Sequence, residues 1–271
     1  RHNRTQNRLT RMPKISPARQ TTPQFRISMA RDADDLMAAQ RLRYDVFVRE
    51  LGGGGDMVDH AAGLEQDRFD PFFDHMLLHD EARGQVVGVY RMLRSDQAQA
   101  AGQFYSEDEY DLAPLRNSGR NLLELGRSCL HPDYRGGMAM HHLWSALAAY
   151  VAEHKIDILF GVASFHGTDT QALAAPLSLL HHRHLAPPAV RVRARETSFQ
   201  TMDLIAEDAL DRRAAMLQVP ALIKAYLRLG GVVGEGAWID RTFNTTDVCL
   251  VMDTAQMNTR QSRLYTTRGD A

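Results

Sequence analysis

The sequence predicts one domain of mixed α/β (α+β) class. Three observations carry that expectation. Roughly six or seven strand-like runs alternate with four or five helix-like runs. One stretch reads strand, helix, strand, and no segment repeats internally.

The elements follow in order. "FRISM" reads as a short strand, and Asp32 stands as the N-cap of a helix in which Leu36, Ala39, Leu42 and Val46 recur at helical spacing. Four consecutive glycines, Gly52 to Gly55, break that helix into a loop. The loop continues through "DMVDHAAGLEQDRFDPFFD", rich in acids and aromatics. "HMLLHD" and "QVVGVYRMLR" flank "EARG" as a β-hairpin. A polar connection, residues 95–120, leads to the strand "NLLELGRSCL". Next come the amphipathic helix "GMAMHHLWSALAAYVAEHK", with Trp144, Leu147 and Val151 as its core stripe, and the buried strand "IDILFGVAS". Strand, helix, strand in that order implies a parallel crossover. Residues 171–184 and "VPALIKAYLRLGG" read as further helices, and "DVCLVMD" as the closing strand. The expected division is a disordered basic tail over residues 1–22, one domain over 23–253 and a C-terminal tail over 254–271.

With 271 residues, 44% hydrophobic and 24% charged, and a net charge of -1, the chain has an ordinary globular composition. Nothing in that balance points to nucleic acid as a partner. Residues 1–20 carry six Arg/Lys and no Asp or Glu, which suits a disordered tail or contact with an anionic membrane surface. No apolar run approaches the roughly 20 residues that span a bilayer, and no hydrophobic signal core is present. The expected location is cytoplasmic, with peripheral contact at the inner membrane left open. Cys129 and Cys249 lie in apolar strand-like runs, which supports neither a disulfide framework nor a zinc site. "HHRHL" (residues 181–185) has metal-ligand residue types in a positively charged setting, and no metal is expected there.

Two adjacent stretches can carry chemistry. In "HPDYRGGMAMHHLW" the unpaired amides of a helix start can bind an anion. Gly136 and Gly137 would let the backbone approach it, and Arg135 would add charge. The alternative is a tight strand-to-helix turn. In the preceding strand, Glu124 and Arg127 are three residues apart and would face opposite sides of a regular strand. Gly126 between them suggests a bulge, which would turn both side chains to one site and leave a backbone N–H to polarise a carbonyl. The alternative is a buried ion pair between the two.

A bulged strand, an anion-binding loop, an amphipathic helix and a second parallel strand resemble the core of the GNAT superfamily of acyltransferases. "RYDVFV" (Arg43, Phe47), "DRFD" (Asp67, Asp70), "VYRML" (Arg91) and "ELGR" (Glu124, Arg127) resemble the acyl-homoserine-lactone synthases. "ELGRSCLHPDYR", "SFHGTD", "PALIKAYLRLGG" and "FNTTDV" resemble more closely the ornithine lipid acyltransferases, also called hemolysin-like. The resemblance spans about residues 25–253. It implies a GNAT-like fold: a twisted, mostly antiparallel sheet with a parallel bulged-strand, helix, strand core and flanking helices. It also implies transfer of a 3-hydroxyacyl chain from acyl carrier protein to the α-amino group of L-ornithine, giving lyso-ornithine lipid.

That activity needs no tightly bound cofactor, because the phosphopantetheine arm of the carrier protein brings the acyl group. Cys129, Leu130, Arg135, Gly136, Gly137 and Met138 are the expected donor-binding residues. The superfamily's pyrophosphate loop reads Arg/Gln-x-x-Gly-x-Gly/Ala, whereas Met138 and Met140 occupy the fourth and sixth places from Arg135 here. Fewer small residues suit a single phosphate better than coenzyme A. Catalysis is assigned to Glu124, Arg127, Asp67 and Asp70, with Glu124 the preferred base. Arg43, Arg91 or Arg127 would hold the acceptor carboxylate, and Asp67 or Asp70 an amine. The aspartates could instead order their loop, and Arg43 could lie on the surface. Phe47, Ser164, Phe165 and His166 complete the acceptor site. Ser164 could protonate the leaving thiol and His166 could shuttle a proton, or Thr168 and Asp169 could make "SFHGTD" a structural turn. Cys129 has no histidine partner, so direct aminolysis is expected. The other readings are an acyl-homoserine-lactone synthase and a non-catalytic lipid- or carrier-binding protein with a degenerate GNAT core.

Overall fold

The computed structural model describes residues 21–257. The expectations for a basic N-terminal tail, and for the C-terminal tail beyond residue 257, lie outside the described residues.

The chain opens with β1 (Phe25–Met29) and α1 (Ala33–Arg43). Asp32 caps α1 by accepting from the Asp35 amide. Instead of ending cleanly, α1 runs into a π-helical segment, Tyr44–Glu50, before the glycine loop. Such widened turns cluster at functional sites. Gly52 has a φ of 73°, and the Gly53 Cα sits where a side chain would meet the Phe47 carbonyl and the Phe243 ring.

The hairpin forms as β2 (Asp74–Asp80) and β3 (Gln85–Arg94). The expected connection over residues 95–120 is more structured than its polarity suggested. It holds α2 (Ser95–Ala101), a 3-10 turn over Tyr105–Asp108, β4 (Tyr110–Asp111) and α3 (Ala113–Arg116). Phe104, Tyr110, Leu112 and Leu115 anchor this segment in the core, each at most 1% exposed.

Then come β5 (Leu122–Leu130), α4 (Ala139–Glu153) and β6 (Ile158–His166). They form the parallel crossover that the strand–helix–strand order implied. The rest is α5 (Ala174–His184), β7 (Arg193–Ala194), β8 (Phe199–Gln200), α6 (Arg212–Leu217), α7 (Ala221–Arg228), β9 (Val232–Val233), β10 (Ala237–Asp240) and β11 (Thr245–Asp253). Past β11, Thr254 bonds the Ile156 and Asp157 carbonyls, and Met257 packs on the core.

The main sheet has the order β1-β2-β3-β5-β6-β11-β10-β8, with β9 added beside β11. Its pairs are antiparallel except β5 with β6. Helices α4 and α7 pack on one face with Leu123, Leu125 and Leu250. The other face carries Phe104, Leu122, Phe160 and Cys249, continued by a smaller cluster of α1 with Leu77, Val89 and Cys129.

Two irregularities of β5 create the site. Against β3, Val89 lies opposite Cys129 and Arg91 opposite Gly126, so three steps on β5 match two on β3. The bulge that the sequence suggested at Gly126 therefore falls on Arg127 and Ser128, with Arg127 at φ 48°. That conformation costs a non-glycine residue about 1–2 kcal/mol. The second irregularity is a fork. β5 and β6 pair only over Leu122–Glu124 and Ile158–Phe160, and then part. At the parting, a Cβ on Gly161 would stand 2.2 Å from the Leu125 carbonyl oxygen, an approach only glycine allows.

Candidate active site

The fork opens into a cleft of about 210 Å³. Ser128, Val162 and Ala163 line it together with Tyr105, Arg127, Phe243, Asp240 and Asp247. Phe47 and Ser164 also line it, so two of the expected acceptor residues meet there. The alternation of β6 sends Phe165 to the opposite face, 2% exposed within the core, while His166 stands exposed at the strand end. Asp169 accepts from the Gln171 and Ala172 amides, the turn-holding role weighed for it.

Arg43, Arg91 and Arg127 interlock with Glu65, Asp67 and Asp70. Arg43 bonds Glu65 and, at 2.8 Å, Asp70 Oδ1. Arg91 reaches Asp67 at 2.7 and 2.8 Å and Asp70 at 2.6 Å. Arg127 Nε lies 2.7 Å from Glu65 Oε1, and one of its terminal nitrogens 3.3 Å from Asp67. Three guanidiniums and three carboxylates thus cancel, which makes burial of all six tolerable. Arg43, which could have lain on the surface, is 1% exposed, and Asp70 is 2% exposed. Both are saturated by protein partners. Only Arg127 of the three arginines lines the cleft, with its guanidinium carbon 5.0 Å from the centroids of both Tyr105 and Phe243.

Burial opposes ionisation of Asp70, but Arg43 and Arg91 more than offset it and draw its carboxyl down to about 2. For Asp67, burial is likewise outweighed by Arg91 and Arg127, and the carboxyl is held well below the usual range.

Glu124 lies on the same face but outside that network. No ion pair joins it to Arg127. Its two oxygens accept from the Tyr105 amide at 2.9 Å and the Ser106 amide at 2.8 Å. It is 1% exposed, and burial pushes its carboxyl up to about 7, opposed by those amides and by Arg91. Glu124 does not line the cleft. Tyr105, whose amide it holds, does.

A second groove, about 390 Å³ and largely apolar, meets the cleft at Phe47, Ser128 and Leu222. It passes Cys129, Leu130, Met140 and Trp144 and ends at Arg135 and Gly136. Arg135 pairs with Glu50 at 2.6 Å and bonds the Leu130 carbonyl. Gly136 takes φ 78°, open space surrounds its Cα, and Met138, 60% exposed, precedes α4 without a side-chain cap. The loop Arg135–Met138 thus leaves the first amides of α4 without a side-chain acceptor. Cys129 is 5% exposed, and burial pushes its thiol up to about 12, so it offers no thiolate nucleophile.

Several site residues have no sequence signature of their own. Glu65 lies among the other acids of the loop before β2. Tyr105 and Glu109 belonged to a stretch read as a connection. Ser128, whose Oγ is buried without a partner, is the residue displaced by the bulge. Asp240, Phe243 and Asp247 come from the β10–β11 hairpin, whose "FNTTDV" was noted as a motif without a role. Among the described residues His181, His182 and Asp203 also approach one another, but the His182 ring bonds the Ile205 carbonyl.

Comparison with known proteins matches this architecture. The model of the acetyltransferase (GNAT) domain family matches residues 42–145. A protein of Rhodobacter capsulatus named L-ornithine N(alpha)-acyltransferase is 60% identical over 249 residues, 90% of this chain and 95% of that one. One of the same name from Brucella abortus is 41% identical over 246 residues, 88% of each. The solved structure of the acyl-homoserine-lactone synthase LasI aligns with a TM-score of 0.47 at 15% identity, covering 86% of this chain and 91% of that one, a likeness too distant to bear on activity. At the identity and coverage of the first two, the chain belongs to the family of L-ornithine N(alpha)-acyltransferases, built on the GNAT fold.

Proposed function

We propose that the protein transfers a 3-hydroxyacyl chain from acyl carrier protein to the α-amino group of L-ornithine, giving lyso-ornithine lipid. The observation that carries this reading is the forked cleft: an arginine on a strand bulge and the carboxylates of Asp240 and Asp247 line one opening, in a chain 60% identical to a protein named for that acceptor.

The phosphopantetheine arm enters along the apolar groove, with its phosphate at Arg135, Gly136 and Gly137 and the Met138–Met140 turn, and its thioester at Ser128. The bulged backbone at Arg127 and Ser128, outside the β3 ladder, turns an N–H to the carbonyl oxygen. The acceptor's carboxylate meets Arg127. Its α-amine attacks the thioester carbon, the N–C bond forms, and the tetrahedral oxyanion collapses with loss of the C–S bond. The amine proton passes to Glu124 through water, because Glu124 lies behind Tyr105. With its carboxyl near 7, Glu124 is a better base than Asp67 or Asp70, whose bound protons leave far lower. The departing thiolate takes a proton from solvent or from a hydroxyl of the cleft. Arg43, Arg91, Glu65, Asp67 and Asp70 act as a scaffold that fixes Arg127.

Among the described residues no helix is long and apolar enough to cross a membrane. An amphiphilic product fits a cytoplasmic enzyme working at the inner membrane surface. The test is reconstitution of purified protein with 3-hydroxyacyl carrier protein and L-ornithine, followed by mass spectrometry. Acyl-ornithine is the expected product. Product only with another amino acid would overturn the acceptor, and equal use of acyl-coenzyme A would overturn the donor.

A further inference from the structure

We propose that Glu109, Asp240 and Asp247 form a subsite for an alkylammonium group, the side-chain ammonium of the acceptor amino acid. This deepens the acceptor reading above and rests on it.

Two parts of the chain supply the three residues: Glu109 comes from the segment before β4, and Asp240 and Asp247 from the β10–β11 hairpin. One oxygen of each lies within 4.8 Å of the others. They are 4%, 9% and 3% exposed, and Asp240 and Asp247 line the same cleft as Arg127. Three buried carboxylates this close repel one another unless something positive lies among them. Among the described residues no guanidinium forms an ion pair with any of the three. Arg127, whose charge is felt by Glu109 and Asp240, aims its donors at Glu65, Asp67 and Tyr105.

An independent sign of a missing ligand is Glu109 Oε2, which is buried and receives no hydrogen bond from a protein N–H or hydroxyl, its carboxylate neighbour being Asp247. Buried acceptors left unpaired in this way are uncommon and costly. Burial, and after it the charge of Asp247 and a hydrogen bond to that carboxylate, also push the Glu109 carboxyl well above its usual range.

The donor set suits ammonium better than a metal. Asp247 Oδ1 is already engaged by the hydroxyls of Ser164 at 2.7 Å and Thr245 at 2.8 Å, and Asp240 Oδ1 by the Phe243 amide at 3.0 Å. One oxygen from each carboxylate matches the three N–H donors of an –NH₃⁺ group. Calcium takes six to eight oxygens and magnesium a near-ideal octahedron. Placing the side-chain ammonium here and the carboxylate at Arg127 orients the molecule across the fork, with the α-amine toward Ser128. The "SFHGTD" and "FNTTDV" segments thereby acquire a common role, since Ser164 orients Asp247.

The test compares L-ornithine with norvaline, the same amino acid lacking the terminal amine, using 3-hydroxyacyl carrier protein as donor. The wild-type protein is expected to favour ornithine by at least about 100-fold in kcat/KM. In Asp247→Asn, and separately in Asp240→Asn, that preference is expected to fall by at least about 10-fold. Residual turnover of norvaline reports that the variants are folded. Equal use of the two acceptors by the wild-type protein would overturn the subsite without any variant. A preference unchanged in both variants, or a loss of the same factor for both acceptors, would also overturn it, the latter by placing the cluster at the reacting amine. So would a requirement for magnesium or calcium that EDTA removes. Failure of the wild-type protein on both acceptors would instead refute the ornithine reading, and this one with it.

Discussion

Glu124→Gln separates a role in proton transfer from a role in folding. In the native protein the Glu124 carboxyl is 1% exposed and titrates near 7, against 4.5 in an exposed glutamate. The native state therefore holds its proton more tightly than the unfolded chain. Stability from this group is full below about pH 4.5 and is lost as pH rises through 7. The interval corresponds to about 3 kcal/mol at about 1.4 kcal/mol per pH unit. Glutamine does not titrate, and it keeps one carbonyl oxygen for the Tyr105 and Ser106 amides. Losing the second acceptor costs about 1 kcal/mol. The variant should thus be less stable than wild type by about 1 kcal/mol at pH 4 and more stable by about 2 kcal/mol at pH 8.5. Urea unfolding at the two pH values measures this. Activity should move the other way at pH 8.5, falling at least about 100-fold, because the base is gone. Wild-type kcat should rise through about pH 7 and level off. A stability difference that does not change between the two pH values would refute the elevated carboxyl. Retention of most activity would refute Glu124 as the base.

Three further outcomes are expected. Arg43→Met leaves Glu65 and Asp70 buried without their guanidinium and should cost about 3–5 kcal/mol in urea unfolding, with part recovered by adding Asp70→Asn; a loss below about 1 kcal/mol would mean that the network does not stabilise the fold. Gly161→Ala places a Cβ 2.2 Å from the Leu125 carbonyl, so the strands must separate at the fork. Unfolding should show a loss of about 2 kcal/mol or more together with reduced kcat, and an unaffected protein would contradict the close approach. Cys129 and Cys249 are buried with raised thiol pKa values. In the folded protein both should resist iodoacetamide, and mass spectrometry during turnover should find no acylated cysteine, whereas an acyl-cysteine adduct would replace direct aminolysis with a two-step route.

Local sequence was sufficient for much of the fold. The hairpin around "EARG", the Asp32 cap, the glycine break and the parallel crossover through α4 each follow from interactions among residues near in sequence. Such interactions leave a periodicity or a turn signature. The bulge is a partial case. Gly126 correctly marked the region, yet the displaced residues are Arg127 and Ser128, because the register is set by β3 and by the carboxylates that hold the Arg127 side chain. The pattern of one strand carries no record of its neighbour's register.

The candidate site was legible in proportion to how far its residues lie from their partners. Glu124 and Arg127 share a strand, and their spacing alone raised the idea of a common site. Their separation into two networks depended on Tyr105, Ser106 and Glu65, brought in from 18 to 62 residues away. Burial and ion pairing set the protonation of Glu124, Asp67 and Asp70 apart, and neither is visible in a string of acids. By itself the sequence determined the class of fold, the order of its elements and the residue types available for acyl transfer. The tertiary structure alone decided where β5 and β6 part, which arginine lines the opening, and that Glu109, Asp240 and Asp247 converge beside it. Glu109 lies more than 100 residues before the hairpin that carries Asp240 and Asp247, and only the closed sheet brings its charge within reach of theirs.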